Sequence, residues 1–142
     1  MERIKNKEKN FVSAVVYCRD SEKTIKGFLG SINEILKENF EKYEIVCVND
    51  ASTDDSAAVV RAFAKERDFP LTLVQMSTWQ GSEPAMNAGI DIAIGDFVFE
   101  FDSVQMSYEP ALLMDCYRKA LQGCDIVCAC PKRVRGGFRK AF

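Results

Sequence analysis

The sequence predicts an α/β fold in which helices flank a mainly parallel sheet. Short apolar runs alternate along the chain with longer segments whose apolar residues recur every three or four positions. The short runs are rich in valine, isoleucine and phenylalanine, as strands covered on both faces usually are. Parallel strands need a crossover, and a helix packed on the sheet is the usual one. We therefore expect strand and helix to alternate through the chain.

The first half of the chain predicts two strands, each followed by a helix. The strands are expected at 11–17 and 43–49, where the apolar runs are nearly unbroken. The apolar stripe of the first helix comprises Ile25, Phe28, Leu29, Ile32, Ile35 and Leu36. Asp20 or Ser21 is the expected cap of that helix. The polar turn 50–56 can cap the second helix, whose apolar side carries Val59, Val60 and Phe63.

The second half repeats the pattern. A third strand is predicted at 71–76, and Ser82 with Pro84 indicates the start of a helix that runs to Ile94. A fourth strand is predicted at 96–101. The next helix should open at 109–110, end at Gly123 and carry an apolar stripe on Leu112, Leu113, Cys116, Tyr117, Ala120 and Leu121. The run 125–130 predicts a fifth strand.

Length and charge predict one folded domain with a basic tail. A chain of 142 residues is long enough for one domain with its own core. We expect an N-terminal extension at 1–10, the domain at 11–131 and a tail at 132–142. Lys132, Arg133, Arg135, Arg139 and Lys140 make the tail basic, although the net charge is -2. The tail is interpreted as a solvated charge run, with a membrane-surface or polyphosphate contact as the alternative. The basic residues lack the aromatic interleaving typical of nucleic-acid binding.

The cysteines, the lack of histidine and the hydropathy limit the kinds of site and the location that we expect for this chain. The six cysteines include no CxxC pair, and Cys47, Cys128 and Cys130 lie in apolar runs, so buried reduced thiols are expected. Histidine is absent, which removes the commonest general base and leaves carboxylates as the ligands for any metal. No segment approaches the ~20 apolar residues of a membrane span. We therefore expect a cytoplasmic protein.

Polar residues follow the predicted strands at the edge where such sheets bind ligands. Ligands of open parallel sheets lie beyond the carboxyl ends of the strands. The segments concerned are 17–21, 49–50, 77–83 and 102–105, which bring acids and aromatics to one rim. Asp50 could instead only cap a helix and Asp102 only end a strand. A shared rim with an aromatic and two carboxylates favours a nucleotide over an apolar ligand.

These segments resemble family 2 glycosyltransferases. Segment 48–54, Val-Asn-Asp-Ala-Ser-Thr-Asp, resembles the family's Val-Asp-Asp-Gly-Ser-Thr-Asp. Segment 81–90 is similar to Gly-x-x-x-Ala-x-Asn-x-Gly, and segment 95–102 is similar to Gly-Asp-Tyr-Val-x-x-x-Asp. The resemblance extends in unbroken order over roughly residues 11–135. It implies a GT-A, Rossmann-like domain that binds a nucleotide sugar of the UDP or GDP type.

The resemblance also implies roles for individual residues. Asp50 would accept a hydrogen bond from the base, and residues 17–21, with Tyr17, Arg19 and Ser21, would surround the base and ribose. Asp102 would bind the ribose or a Mg2+ or Mn2+ ion on the diphosphate, where a cation stabilises the departing leaving group. Segment 123–136 resembles members that load sugars onto polyprenyl phosphates. That likeness implies a lipid-phosphate acceptor, a position at the inner membrane face, and a longer parent protein with amphipathic or membrane helices.

Several positions depart from the family pattern. The Asp-x-Asp metal motif is present as Asp102-Ser103-Val104, so Val104 supplies carbon where a hard cation wants oxygen. Trp79 stands where the family has asparagine, and it could stack on a ring or simply cover a loop. Arg19, within a segment that replaces Pro-x-Tyr-Asn-Glu, could stack on a base, pair with phosphate or be an exposed structural arginine. No catalytic base is identified, because Glu83 and Glu109 are poorly placed.

Three functions remain to be compared. The first is the donor half of an enzyme that transfers a sugar from a nucleotide-diphosphate sugar to an acceptor. The second is a catalytically degenerate nucleotide-binding or scaffolding module of the same fold, which Val104 and the short chain favour. The third, a dinucleotide-binding domain, is disfavoured because no GxGxxG follows the first strand.

Overall fold

A computed structural model describes residues 6–66 and 70–130. The chain divides into two compact units, Met1–Met106 and Ser107–Phe142. The strands are β1 (Val12–Cys18), β2 (Tyr43–Asn49), β3 (Leu71–Gln75) and β4 (Phe97–Phe101), and the helices are α1 (Ile25–Asn39), α2 (Ser56–Glu66), α3 (Ser82–Ile92) and α4 (Ala111–Leu121). The predicted alternation of strand and helix is therefore confirmed as far as α4.

The four strands form one parallel sheet in the order β3-β2-β1-β4. The chain moves outward from β1 to β2 and β3, and then crosses to the other side of β1 to form β4. The winding direction reverses between β1 and β4, which is where sheets of this class leave a crevice. Because every strand is parallel, the carboxyl ends of all four lie at one edge. The predicted α/β class is confirmed.

Helices cover both faces of this sheet. Phe28 of α1 packs against Phe101 of β4, with ring centroids 5.5 Å apart. Gly89 of α3 lies against Val15 of β1, which pairs with Glu100, the residue before Phe101. Neighbouring residues of a strand point to opposite faces. The helices α1 and α3 therefore cover opposite faces of the sheet.

The close approach of α3 to the sheet depends on a glycine. A Cβ atom built on Gly89 would lie 2.5 Å from the side chain of Val15 and 2.6 Å from that of Val48. Both distances are far inside ordinary van der Waals contact. Only a residue without a side chain allows α3 to bury Ala85 and Met86 in the same cluster.

The predicted apolar stripe of α1 is buried, but its predicted cap is wrong. Ile25, Phe28, Leu29, Ile32 and Leu36 are all buried, while Ile35 is half-buried. The residue before the helix is Thr24, and its side chain makes no capping hydrogen bond. The residues expected to cap lie further back, where Asp20 instead accepts hydrogen bonds from Thr53. A contact distant in sequence has replaced the local one.

The predicted fifth strand is wrong. Residues 125–130 adopt no strand, and Ile126 is 83% exposed. An apolar run becomes a strand only when it finds a hydrogen-bonding neighbour, and composition alone cannot supply that information. The burial expected of Cys128 and Cys130 is wrong for the same reason, since both are exposed. All six cysteines are free thiols, and only Cys18 and Cys47 are buried.

Smaller differences concern the ends of elements. α3 has Gly81 as its N-cap and ends at Ile92, so Ser82 is the first helical residue and not the cap. Within the second unit, α4 buries Leu113 and Tyr117 as predicted and also Met114. Its predicted stripe residue Leu121 is 47% exposed, because it lies at the end of the helix.

Part of the predicted N-terminal extension contacts the first unit. Glu8 forms a parallel bridge with Phe40, and its N–H donates to the carbonyl oxygen of Asn39 at 2.8 Å. The predicted basic tail, 132–142, lies outside the described residues. Among the helices that the structure describes, none is both long enough and apolar enough to cross a membrane.

Candidate functional site

Asp50 lies at the centre of the polar rim formed by the carboxyl ends of the strands. It follows β2 directly and is completely buried. Its Oδ1 accepts the N–H of Gln80, and its Oδ2 accepts both the hydroxyl of Tyr17 and the N–H of Gly81, all at 2.9 Å. A carboxylate offers about four lone-pair sites, so three donors nearly saturate it. Asp50 thus joins the ends of β1 and β2 to the loop between β3 and α3.

Arg19 and Trp79 lie next to this carboxylate. The Nη1 of Arg19 donates to the carbonyl oxygens of Asp50 at 2.8 Å and Ala51 at 3.1 Å. The guanidinium carbon of Arg19 lies 5.2 Å from the ring centroid of Trp79, within the range of a cation–π contact. Trp79 is 66% exposed, so much of its indole surface is open to a ligand.

The loops after β1 and β2 are held together by hydrogen bonds. Asp20 Oδ1 accepts the N–H of Thr53 at 2.7 Å, and Asp54 Oδ2 accepts the N–H of Glu22 at 3.1 Å. Ala51 adopts a φ of 51°, in the left-handed region that favours glycine. The resembled family pattern has glycine at this position, so the backbone keeps the turn although the side chain has changed.

Ser21, predicted to contact a nucleotide, is engaged within the protein. Its hydroxyl donates to the carbonyl oxygen of Arg19 at 2.8 Å, and its N–H donates to Ser56 Oγ at 2.8 Å. Both groups stabilise the turn after β1. The structure therefore places Ser21 in the rim as part of the loop framework.

Burial and hydrogen bonding shift the pKa of Tyr17 in the rim and of Asp54 in the loop after β2. Burial raises the pKa of Tyr17, and the hydrogen bond to Asp50 and the charge of that carboxylate raise it further. Its hydroxyl therefore remains a donor at neutral pH. Burial also raises the pKa of Asp54, but hydrogen bonds from the hydroxyl and N–H of Ser56 and the N–H of Glu22 outweigh it, so this pKa lies below its ordinary value.

Asp102 lies on the neighbouring strand end, apart from this network. It follows β4 directly. The register pairs Phe101 with Val16, so Asp102 lies beside Tyr17, the next residue of β1. Asp102 is exposed, and within the described residues it has no hydrogen-bond partner. Val104 is half-buried two residues further on. The structure thus brings Tyr17, Asp50 and the two residues Arg19 and Trp79 together, and leaves Asp102 at the rim without a bond to them.

The sequence analysis missed the backbone donors of the loop before α3. The N–H groups of Gln80 and Gly81 are what fix Asp50, and backbone groups leave little trace in a sequence. The available signal was Gly81, whose φ of 92° is one that glycine adopts readily. In the sequence this glycine stands out only as part of the family pattern.

A parallel α/β sheet with polar and aromatic residues beyond the carboxyl ends of its strands belongs to the class of open sheets that bind ligands at that edge. Residues 13–141 match the model of "Glycosyl transferase family 2". The chain belongs to this family and has the GT-A fold.

Individual relatives agree with this assignment. An undecaprenyl-phosphate 4-deoxy-4-formamido-L-arabinose transferase from Pseudomonas fluorescens is 28% identical over 117 residues, which cover 82% of this chain and 34% of the relative. A mannosyltransferase from Pyrobaculum calidifontis, solved in complex with GDP-Man and Mn2+, matches with a TM-score of 0.66 and 25% identity over 78% of this chain and 32% of that one. TarS 1-349 from S. aureus in complex with UDP matches with a TM-score of 0.53 and 28% identity over 64% of this chain and 27% of that one.

The chain spans about a third of the length of the curated relatives that it matches. The matched part of this chain carries β1 to β4 and the polar rim. Activity, substrates and partners of the whole protein are therefore matters for proposal.

Proposed function

We propose that this chain is the donor-binding part of a glycosyltransferase that moves a sugar from a nucleotide-diphosphate sugar to an acceptor. The observation that carries the proposal is the convergence of Tyr17, Asp50, Arg19 and Trp79 at the carboxyl edge of a family 2 domain. A nucleobase needs a flat apolar surface and a few polar partners at its edge. The exposed indole of Trp79 supplies the first, and Tyr17 with Asp50 supplies the second.

Asp50 can meet a base only by exchanging a partner. Its carboxylate is completely buried and already accepts three hydrogen bonds. A ring N–H of uracil or guanine would take the place of the Tyr17 hydroxyl, which is the one side-chain donor among the three. Tyr17 would then turn its hydroxyl towards the ribose. Asp50 is in this account both the anchor of the loop that carries Trp79 and a contact for the base.

The remaining residues of the rim surround the ribose and diphosphate. Asp102, exposed at the end of β4, would accept a hydrogen bond from a ribose hydroxyl. The crevice between β1 and β4, where the winding reverses, would place the sugar at the open edge of the sheet. The reaction gives the departing nucleoside diphosphate negative charge, which the site must stabilise.

A lipid phosphate is the acceptor that we propose. The support is the relative from Pseudomonas fluorescens, whose name describes a transferase for undecaprenyl phosphate. A polyprenyl acceptor would place the whole protein at the inner face of the membrane. Membrane vesicles that contain polyprenyl phosphate should accept labelled sugar from the full-length protein, and vesicles without it should not.

Measurement of nucleotide binding is the first test of the proposed donor site. Calorimetric titration with UDP and GDP should show binding of one of them, with ADP as the control for the base. Trp79 is the only tryptophan, so its fluorescence should change over the same concentration range. Failure of UDP and GDP to bind under any ionic condition would end the donor-site proposal.

A catalytically degenerate module of the same fold is the second candidate, and Val104 is the observation that favours it. The two candidates predict the same nucleotide binding but differ in turnover. Release of UDP or GDP from the corresponding nucleotide sugar by the full-length protein would support the enzyme, and binding without release would support the module.

A further inference from the structure

The metal motif of the family does not fit a divalent cation in this chain. Mg2+ and Mn2+ prefer several oxygen ligands in a compact arrangement. The motif offers one carboxylate, Asp102, because Val104 presents a half-buried apolar side chain where the second carboxylate would stand. Across 6–66 and 70–130, no group of three or more histidine, cysteine, aspartate or glutamate side chains could hold a metal ion.

The rim does contain a basic side chain. In the four segments that form it, 17–21, 49–50, 77–83 and 102–105, Arg19 is the only basic residue. Its guanidinium is fixed by the carbonyl oxygens of Asp50 and Ala51 and by the ring of Trp79. A guanidinium has five N–H donors. Nη1 makes the two hydrogen bonds, and Nε lies 3.8 Å from Oδ2 of Asp20 in an ion pair, which leaves Nη2. Nη2 can bind phosphate oxygens without the help of a metal ion.

We infer that the chain binds a nucleoside diphosphate without a divalent cation and that Arg19 supplies the positive charge instead. The inference rests on the proposed function, since it describes how the same site holds its ligand. Arg19 contacts the loop after β2, to which Asp50 belongs, and it also contacts Trp79 in the loop before α3. The N–H groups of Gln80 and Gly81 in that second loop bind Asp50. A ligand that lies on Trp79 and against Asp50 therefore lies next to this guanidinium.

Calorimetric titration with UDP and GDP in Mn2+ and in excess EDTA tests the metal part of the inference. The dissociation constant should change by less than about twofold between the two conditions. The Val104→Asp variant restores the second carboxylate and should gain at least about tenfold in affinity on addition of Mn2+. Mn2+ paramagnetic resonance should show bound Mn2+ with this variant and UDP, and only free Mn2+ with the wild-type chain and UDP.

Comparison of UDP with uridine tests the part played by Arg19. Arg19→Gln should weaken UDP binding by about tenfold or more but leave uridine binding within about twofold, because only UDP carries the phosphates that a guanidinium binds. An equal loss for both ligands, or no loss for either, would overturn this role. Thermal unfolding of Arg19→Gln checks that the variant folds, and the Mn2+ comparison stands without it.

The outcomes separate this inference from the proposed function. Absence of binding in both Mn2+ and EDTA contradicts the proposed function itself. Binding of UDP or GDP to the wild-type chain in Mn2+ but not in EDTA leaves the proposed function intact and overturns the metal-independent site. Equal binding in both conditions supports both.

Discussion

The substitution Asp50→Asn removes one charge from the centre of the rim while preserving the shape of the side chain. The lowest-cost orientation directs the amide oxygen to the position of Oδ2, where it still accepts the hydroxyl of Tyr17 and the N–H of Gly81. The amide NH2 then faces the N–H of Gln80, which loses its acceptor. The new amide NH2 is buried without an acceptor, the N–H of Gln80 loses its own, and the two remaining hydrogen bonds lose their charge assistance.

The effect of these losses on the free energy of unfolding can be estimated from typical hydrogen-bond energies. An unpaired buried donor costs about 1–3 kcal/mol, and hydrogen bonds to charged groups are roughly twice as strong as neutral ones. We expect Asp50→Asn to lower the free energy of unfolding by about 2–4 kcal/mol. That is a large part of the ~5–15 kcal/mol that keeps a domain folded.

Urea unfolding measures this free energy, and hydrogen exchange shows where the change occurs. The amide protons of Gln80 and Gly81 should exchange faster in the variant, because Asp50 no longer fixes both. Asp91→Asn is the matched control, since Asp91 is exposed on α3 and should change stability by less than about 0.5 kcal/mol. A loss below about 0.5 kcal/mol for Asp50→Asn, with unchanged exchange, would refute the idea that Asp50 organises the rim.

Three further predictions concern packing, backbone strain and pH. Gly89→Ala should destabilise the fold by about 1–3 kcal/mol, because the added methyl group would clash with the sheet. Gly27→Ala is the control, since Gly27 in α1 has open space around it, and it should stabilise the fold by about 0.4–1 kcal/mol. Similar urea midpoints for the two variants would contradict the packing described. Ala51→Gly should raise the free energy of unfolding by up to about 1 kcal/mol, because glycine adopts the left-handed conformation of this residue without strain. Ala58→Gly in α2 is the control and should lower that free energy by about 1 kcal/mol. Equal losses of stability in the two variants would show that the backbone at Ala51 is not strained. The depressed pKa of Asp54 means that its ionised form stabilises the fold above the unfolded-state pKa, and that this contribution is lost as pH falls through the lower folded-state value. Asp54→Asn should thus be less stable than the wild type at pH 7 but not near pH 2, as followed by thermal unfolding, and a constant difference across this range would exclude the linkage.

The fold could be predicted because it depends on patterns that repeat. Strands β1 to β4 carry runs of apolar residues, and α1 carries a regular stripe, so each element is specified by many residues at once. The position of Asp50 after β2 then follows from chain order, since parallel strands end at one edge. For that reason the sequence predicts that Asp50 and Tyr17 lie close together.

The features that could not be predicted depend on single partners. The fifth strand required a neighbour that the apolar run of 125–130 does not find, and the cap of α1 was displaced by a bond between Asp20 and Thr53. The donors to Asp50 from Gln80 and Gly81 are backbone groups, which any residue except proline supplies. Sequence patterns record side chains, and these details are set by the backbone and by distant contacts.

A crystal structure of this chain with UDP or GDP, whichever binds more tightly, tests the central claim most directly. We predict that the base stacks on Trp79, that a ring N–H donates to Asp50, and that the diphosphate lies beside Arg19 with no metal ion between them. The structure offers another place for a ligand, a groove of about 290 Å3 between α2 and β3 lined by Val60, Arg61, Ala64, Lys65, Leu71 and Leu73. Nucleotide bound in that groove, with the rim between β1 and α3 empty, would contradict the account.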